Sequence, residues 1–125
     1  MYLMDTCTFL WFLEDNVSLS KGAREVIEES ENLYLSIASL WEIAIKKSIR
    51  KLDIEKSITE LEEMCYNLQI SILPIKSQYL ERIQQLPMLH GDPFDRLIIS
   101  TALEENLMLI TCDMKIKQYD IKIYW

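Results

Sequence analysis

Glycine is almost missing from this chain: Gly22 and Gly91 are the only two in 125 residues. Neither a three-glycine dinucleotide fingerprint nor a glycine-rich phosphate loop can therefore be written anywhere. Histidine is scarcer, with His90 alone. That excludes multi-histidine zinc sites and leaves one base for a serine or cysteine triad, for which no G-x-S-x-G elbow exists. A lone histidine just before a helix cap reads first as a structural hydrogen-bond partner. The three cysteines, Cys7, Cys65 and Cys112, are odd in number and form no C-x-x-C. Neither a disulfide framework nor a thiolate zinc site is expected, and the chain reads as cytoplasmic with reduced thiols. Long apolar runs are missing too. The longest, Phe9 to Leu13, falls far short of the ~20 residues of a membrane helix. The start, Met1-Tyr2-Leu3-Met4-Asp5, lacks the basic region of a signal peptide, so no membrane association is expected.

What is plentiful is carboxylate. Twenty Asp and Glu stand against 13 Lys and Arg, for a net charge of −7, while half the residues are hydrophobic. A chain this apolar can offset its ordering entropy, and its length suits a single domain over residues 1–125. Bulk electrostatics argue against nucleic-acid binding, unless the acids hold metal and the bases are segregated from them.

The period of the apolar residues switches repeatedly. Short strands are predicted at Tyr2 to Met4, Leu33 to Leu35, Ile70 to Leu73, Leu107 to Thr111 and Lys122 to Tyr124. Helices are predicted over Thr8 to Glu14, Ser20 to Ser30 with Ser20 as cap, and Ala38 to Arg50. Three more follow: one opened by the capping box Ser57-Ile58-Thr59-Glu60, one over Ser77 to Gln85, and one from Asp92-Pro93 to about Asn106. Strands alternating with helices imply an α/β fold with a parallel sheet covered on both faces.

Four acids stand out by position. Asp5 follows the first strand and Asp113 the fourth, and the carboxyl ends of parallel strands are where such sheets bind ligands. Each reads equally as a cap, Asp5 for the helix after it and Asp113 for a turn over Met114 to Lys117. Glu42 shares a helical face with Ala38, Ile45 and Ile49, where a carboxylate is costly unless it binds metal or pairs with Lys46 one turn on. Asp95 sits at the third helical position yet on the face of Ile98, Ile99 and Ala102, whereas capping suffices to explain Asp92. Arg96 reads as a solvated charge or as a phosphate contact. Lys46, Lys47, Arg50 and Lys51 read as a solvated helix end or as a patch that steers phosphate. Oxygen-only ligands select Mg²⁺ or Mn²⁺, and a carboxylate cluster fits metal-assisted phosphodiester hydrolysis. Phe9, Trp11 and Phe12 on the first helix read as core, or in part as an apolar groove for a partner helix.

The strings Asp5-Thr6, Ser39-Leu40-Trp41-Glu42-Ile43-Ala44-Ile45-Lys46, His90-Gly91-Asp92-Pro93-Phe94-Asp95-Arg96-Leu97-Ile98-Ile99 and Leu109-Ile110-Thr111-Cys112-Asp113 resemble the PIN-domain ribonucleases. More specifically they resemble the VapC-type toxins of bacterial type II toxin–antitoxin modules. The resemblance runs over nearly the whole chain and implies a three-layer α/β/α fold with a five-stranded parallel sheet. It implies that Asp5, Glu42, Asp95 and Asp113 hold Mg²⁺ or Mn²⁺ and carry catalysis, with Thr6 and Thr111 in support. It further implies an RNA substrate met by Lys46, Lys47, Arg50 and Arg96, a cognate antitoxin, and a homodimer. The chain departs from many relatives at Cys7, where histidine is common, at Cys112, where a basic residue is common, and at Arg50, where glycine is common. A PIN-like protein that only binds a partner and a structure-selective DNA nuclease are the alternatives. A phosphorylatable receiver domain is excluded, because no acid pair follows the first strand and neither Leu33 to Ser36 nor Ile70 to Ile75 contains an Asp.

Overall fold

The computed structural model describes residues 1–125. The chain runs β1 (Tyr2–Met4), α1 (Thr6–Leu13), α2 (Lys21–Glu29), β2 (Leu33–Ser36), α3 (Ile37–Ser48), α4 (Ile58–Asn67) and β3 (Ile70–Leu73). It continues through α5 (Ser77–Gln85), α6 (Pro93–Glu104), β4 (Met108–Ile110), a 3-10 turn (Ile116–Gln118) and β5 (Ile123–Tyr124). All pairings are parallel and the strand order is β3-β2-β1-β4-β5. The N-terminal strand is thus the middle of the sheet, with Leu3 level with Tyr34 on one side and Leu109 on the other.

Alternation along each strand decides which layer each residue serves. Met4, Leu33, Leu35, Ile70 and Ile110 face one way and bury Phe9 of α1, Ala23 and Ile27 of α2, Leu40 and Ile43 of α3, and Leu61 and Cys65 of α4. Leu3 and Leu109 face the other way, onto Ile98, Ile99 and Ala102 of α6 and onto Ile116 and Tyr119. The result is the expected α/β/α sandwich. Trp11 and Phe12 pack against the first of these cores and Phe9 is wholly buried within it, so the aromatics of α1 serve mainly as core.

The scarcity of glycine shows at the helix ends. Asp15, Arg50, Gln69 and Asn106 all have positive φ, between 52° and 59°, a conformation that glycine adopts most cheaply. After three of them the next amide reaches back one turn: Asn16 to the Trp11 carbonyl, Lys51 to that of Lys46 and Leu107 to that of Ala102, at 2.8–2.9 Å. Helix α3 therefore stops at Ser48, two residues before the predicted end, with Arg50 in the left-handed turn. Leu107 is used the same way, which delays β4 by one residue. Helix α1 starts two residues early, because Asp5 caps it by accepting the Thr8 N–H at 2.8 Å. No helix is long and apolar enough to cross a membrane.

Candidate metal centre

The carboxyl ends of β1 and β4 lie side by side, and the acids that follow them meet there. Asp5 is buried, and both its oxygens are engaged: Oδ1 accepts from Thr8, and Oδ2 accepts the hydroxyl of Thr111. Thr111 in turn accepts the N–H of Asp113 at 3.1 Å, which ties the two strand ends together. Thr6 turns instead to α3, donating to Ser39 Oγ at 2.9 Å. Asp113 both lies at the rim and starts a turn, as its Oδ1 accepts the Lys115 N–H at 2.8 Å.

Glu42 combines the two expectations held for it. It is only 7% exposed, and its Oε2 sits 2.7 Å from Lys46 Nζ. Its other oxygen, Oε1, is buried with no hydrogen-bond partner at all. An unpartnered buried carboxylate oxygen is expensive and normally implies a group that completes it. Asp95 comes from the first turn of α6, placed there by the Asp92 cap, whose Oδ1 accepts from Phe94 at 2.8 Å and Asp95 at 3.0 Å. Pro93, the first residue of the helix, suits that entry.

These groups line one open cleft of about 290 Å³, which holds Asp5, Thr6, Cys7, Leu10, Glu42, Lys46, Asp92, Asp95, Cys112 and Asp113. Five carboxylates thus face a single ammonium. Burial, then the charges of Asp92 and Asp5, push the Asp95 carboxyl up to about 7, against a smaller lowering by His90. Burial also raises Asp5, even though Thr111 and Thr8 stabilise its ionised form. Lys46 is held up by its bond to Glu42. Cys7 is pushed up to about 12 by burial and by Asp5, and Cys112 is raised for the same reasons. The thiols are therefore held protonated, and the carboxylates supply the hard oxygen donors of the cleft. Crowding of carboxylates is among the causes that raise Asp5 and Asp95, and the bare Glu42 Oε1 is an oxygen free to meet a cation.

Two expectations need adjusting. Arg96 is turned inward rather than solvated or offered to phosphate. It is 8% exposed, and its guanidinium donates to the carbonyls of Pro87, His90, Ile83 and Leu86 and to Tyr119 Oη. Its two terminal nitrogens are spent closing the α5–α6 connection from inside. His90, which reads as a structural partner, lies in the centre itself: Nε2 is 3.0 Å from Asp95 Oδ2 and 3.2 Å from Asp113 Oδ2. The contact to Asp113 spans 23 residues, so no local signal announces it. Lys47 donates to the Lys56 carbonyl and Arg50 is exposed; neither lines the cleft.

Comparison with known proteins places these features in a family. The PIN domain family matches residues 2–122. Ribonuclease VapC22 of Mycobacterium tuberculosis (strain ATCC 25618 / H37Rv) is 24% identical over 120 residues, covering 94% of this chain and 90% of that protein. The crystal structure of VapBC2 from Rickettsia felis, bound to a DNA fragment from its promoter, superposes with a TM-score of 0.69 at 16% identity. It covers 98% of this chain and 96% of the matched one. A toxin-antitoxin complex from Klebsiella pneumoniae gives a TM-score of 0.64 at 21% identity, covering 100% and 97%.

Proposed function

Because the chain belongs to the PIN domain family, we propose that residues 1–125 form a single PIN-like domain acting as a divalent-metal-dependent endoribonuclease, the toxin of a toxin–antitoxin pair. The observation that carries this reading is the buried, unpartnered Oε1 of Glu42 in a cleft of carboxylates. Asp5, Glu42, Asp95 and Asp113 are the residues that would hold Mg²⁺ or Mn²⁺. Such a cation supplies Lewis-acid polarisation of the phosphodiester and activation of water. Similarity to a protein named as a ribonuclease supports RNA as the substrate.

The chain's own groups prepare the cleft. Thr8 and Thr111 hold the Asp5 carboxylate in one orientation, and Thr6 braces α1 against α3 through Ser39. The Asp92 cap fixes the turn from which Asp95 projects. Lys46, its side chain 44% exposed, is the cation best placed to meet an incoming phosphate, with Lys47 and Arg50 further along the same helix end. Its partner protein is a cognate antitoxin whose basic side chain would compete for the same oxygens, and a second copy of the chain completes the assembly. The cytoplasm is the compartment that suits such a pair.

The test is cleavage of single-stranded RNA by wild type and Asp5→Asn. Mg²⁺ or Mn²⁺ should be required, chelation should abolish cleavage, and Asp5→Asn should be inactive while folded. Undiminished cleavage in chelator, or cleavage of branched DNA in preference to RNA, would overturn it. Co-expression with the adjacent small gene should give a complex with blocked cleavage.

A further inference from the structure

Two groups in the acidic cleft take no part in the chemistry proposed for it: the thiols of Cys7 and Cys112. They come from distant parts of the sequence. Cys7 lies in the first turn of α1, and Cys112 follows β4. The backbone around them is stitched together on both sides, since Thr8 Oγ1 donates to the Ile110 carbonyl at 2.9 Å and Thr111 donates to Asp5. Both cysteines line the cleft beside Asp5, Glu42, Asp92, Asp95 and Asp113. Each is close enough to Asp5 for its charge to act on the thiol, and Cys112 acts on Cys7 in the same way. Neither is tied up in a disulfide, and Cys7 is exposed. The third cysteine, Cys65, is wholly buried in the core elsewhere.

Sulfur changes which cation such a cleft prefers. Mg²⁺ is hard and gains nothing from a thiol, whereas Zn²⁺ takes mixed sulfur and oxygen sets in tetrahedral geometry. Zn²⁺ also stands above Mn²⁺ in the general order of divalent affinities, and thiolate ligands widen that lead. The Glu42 carboxylate, 7% exposed and with Oε1 unpartnered, independently calls for a cation in the same cleft. The trio whose ligand atoms already stand within 4.8 Å of one another is His90, Asp95 and Asp113. The thiols stand outside that trio, so they gather a zinc ion by turning toward it, each about its single Cα–Cβ torsion.

We propose that Cys7 and Cys112, with carboxylate oxygen from the cleft, form a binding site for Zn²⁺, and that zinc held there shuts the nuclease off by taking oxygens that Mg²⁺ or Mn²⁺ needs. The proposal rests on the metal-dependent reading above and adds an inhibitory ion to it. As each sulfur–zinc bond forms, the thiol proton passes to solvent, so two protons leave per ion and nothing is oxidised or reduced. Both thiols are required. With one removed, the donors that remain are mainly the oxygens that Mg²⁺ also uses.

The experiment uses the full chain, kept reduced, with Co²⁺ as a coloured stand-in for Zn²⁺. Wild type should show a thiolate-to-cobalt charge-transfer band in the near ultraviolet, and added Zn²⁺ should bleach it. Cys7→Ser and Cys112→Ser should each lose the band, while Cys65→Ser keeps it. In RNA cleavage at fixed Mg²⁺, either serine variant should need about tenfold more Zn²⁺ for half-inhibition than wild type, with zinc-free cleavage unchanged. Should a serine variant fail to fold, Cys7→Ala or Cys112→Ala carries the same expectation, and the wild-type band needs no variant at all. No thiolate band on wild type, a band that survives in both serine variants, or equal Zn²⁺ sensitivity in wild type and variants would overturn the proposal and leave the nuclease reading intact. A wild type that cuts no RNA with Mg²⁺ or Mn²⁺ would overturn the nuclease reading, and with it the inhibition, while the cobalt band still decides whether the thiols bind metal.

Discussion

The two halves of the acidic cleft solve the same electrostatic problem differently. On one side Asp5 and Glu42 are almost wholly buried, and the charge of Glu42 is met by Lys46, a solvent-facing side chain. On the other, Asp95 and Asp113 are partly open, and a fixed, buried imidazole stands between them. The first half is closed by a flexible ammonium with its side chain 44% exposed, and the second by a buried ring hydrogen-bonded at both nitrogens. The contrast teaches that a carboxylate cluster is not a uniform sink for cations. Which oxygens are available depends on how firmly the chain's own donors hold the rest.

The sharpest way to break the comparison is to remove one acid at a time. Asp95→Asn should lower RNA cleavage on the order of a thousandfold, about 4 kcal/mol in the barrier, as should Asp5→Asn in the other half. Asp92→Ala should leave turnover of the folded protein within several-fold and lower stability by about 0.5–2 kcal/mol, since it removes a helix cap. Steady-state kinetics beside urea melts separate these effects; equal loss of turnover from Asp92→Ala and Asp95→Asn would erase the distinction between cap and ligand.

A second prediction uses pH. The ordinary Asp value is 3.8, and Asp95 is held up to about 7 by burial and by Asp92 and Asp5, with Glu42 adding and His90 opposing. A carboxyl raised in the folded state contributes stability fully below its unfolded value and loses it as pH rises through the folded value. In chelator, therefore, wild type should lose stability between about pH 4 and pH 7 relative to Asp95→Asn, by about 2 kcal/mol once coupling to Asp5 spreads the titration. Paired thermal melts across that range check the sign. Added Mg²⁺ should flatten the difference and release protons.

Smaller effects follow from the cations. Lys46→Met removes the ammonium that competes for Glu42 and should lower the Mg²⁺ concentration for half-maximal thermal stabilisation about threefold. Arg50→Gly relieves a left-handed residue and should raise stability by about 1 kcal/mol, read as a shifted urea midpoint. Lost stability there would mean that Arg50 makes contacts worth more than its backbone strain.

The order of elements was readable because each strand and helix carries its own period, and the capping box at Ser57 and the Asp92-Pro93 start appear where those residues promised. The meeting of the four acids in one cleft was readable because two follow strands and two sit on inward helix faces, while Asp5 and Asp113 also serve the capping and turn roles their positions allowed. Helix ends were less so, because Asp15, Arg50 and Gln69 terminate helices with no glycine to mark the stop. Arg96 was misread for a related reason. Four of its acceptors are backbone carbonyls from Ile83 to His90, and carbonyls leave no trace in residue type. His90 depends on Asp113 arriving from across the sheet.

The central placement of β1 carries a consequence for the protein as it is being made. Asp5 is synthesised before the other acids of the cleft, yet β1 must wait for β4 before its second edge is paired, and Thr111 and Asp113 follow β4. A nascent chain halted before Met108 leaves one edge of β1 unpaired, and one halted before Asp113 lacks an acid of the cleft. Order of synthesis thus delays the cleft: Asp5 waits for Thr111 and Asp113, and a fragment without β4 holds an incomplete set of acids.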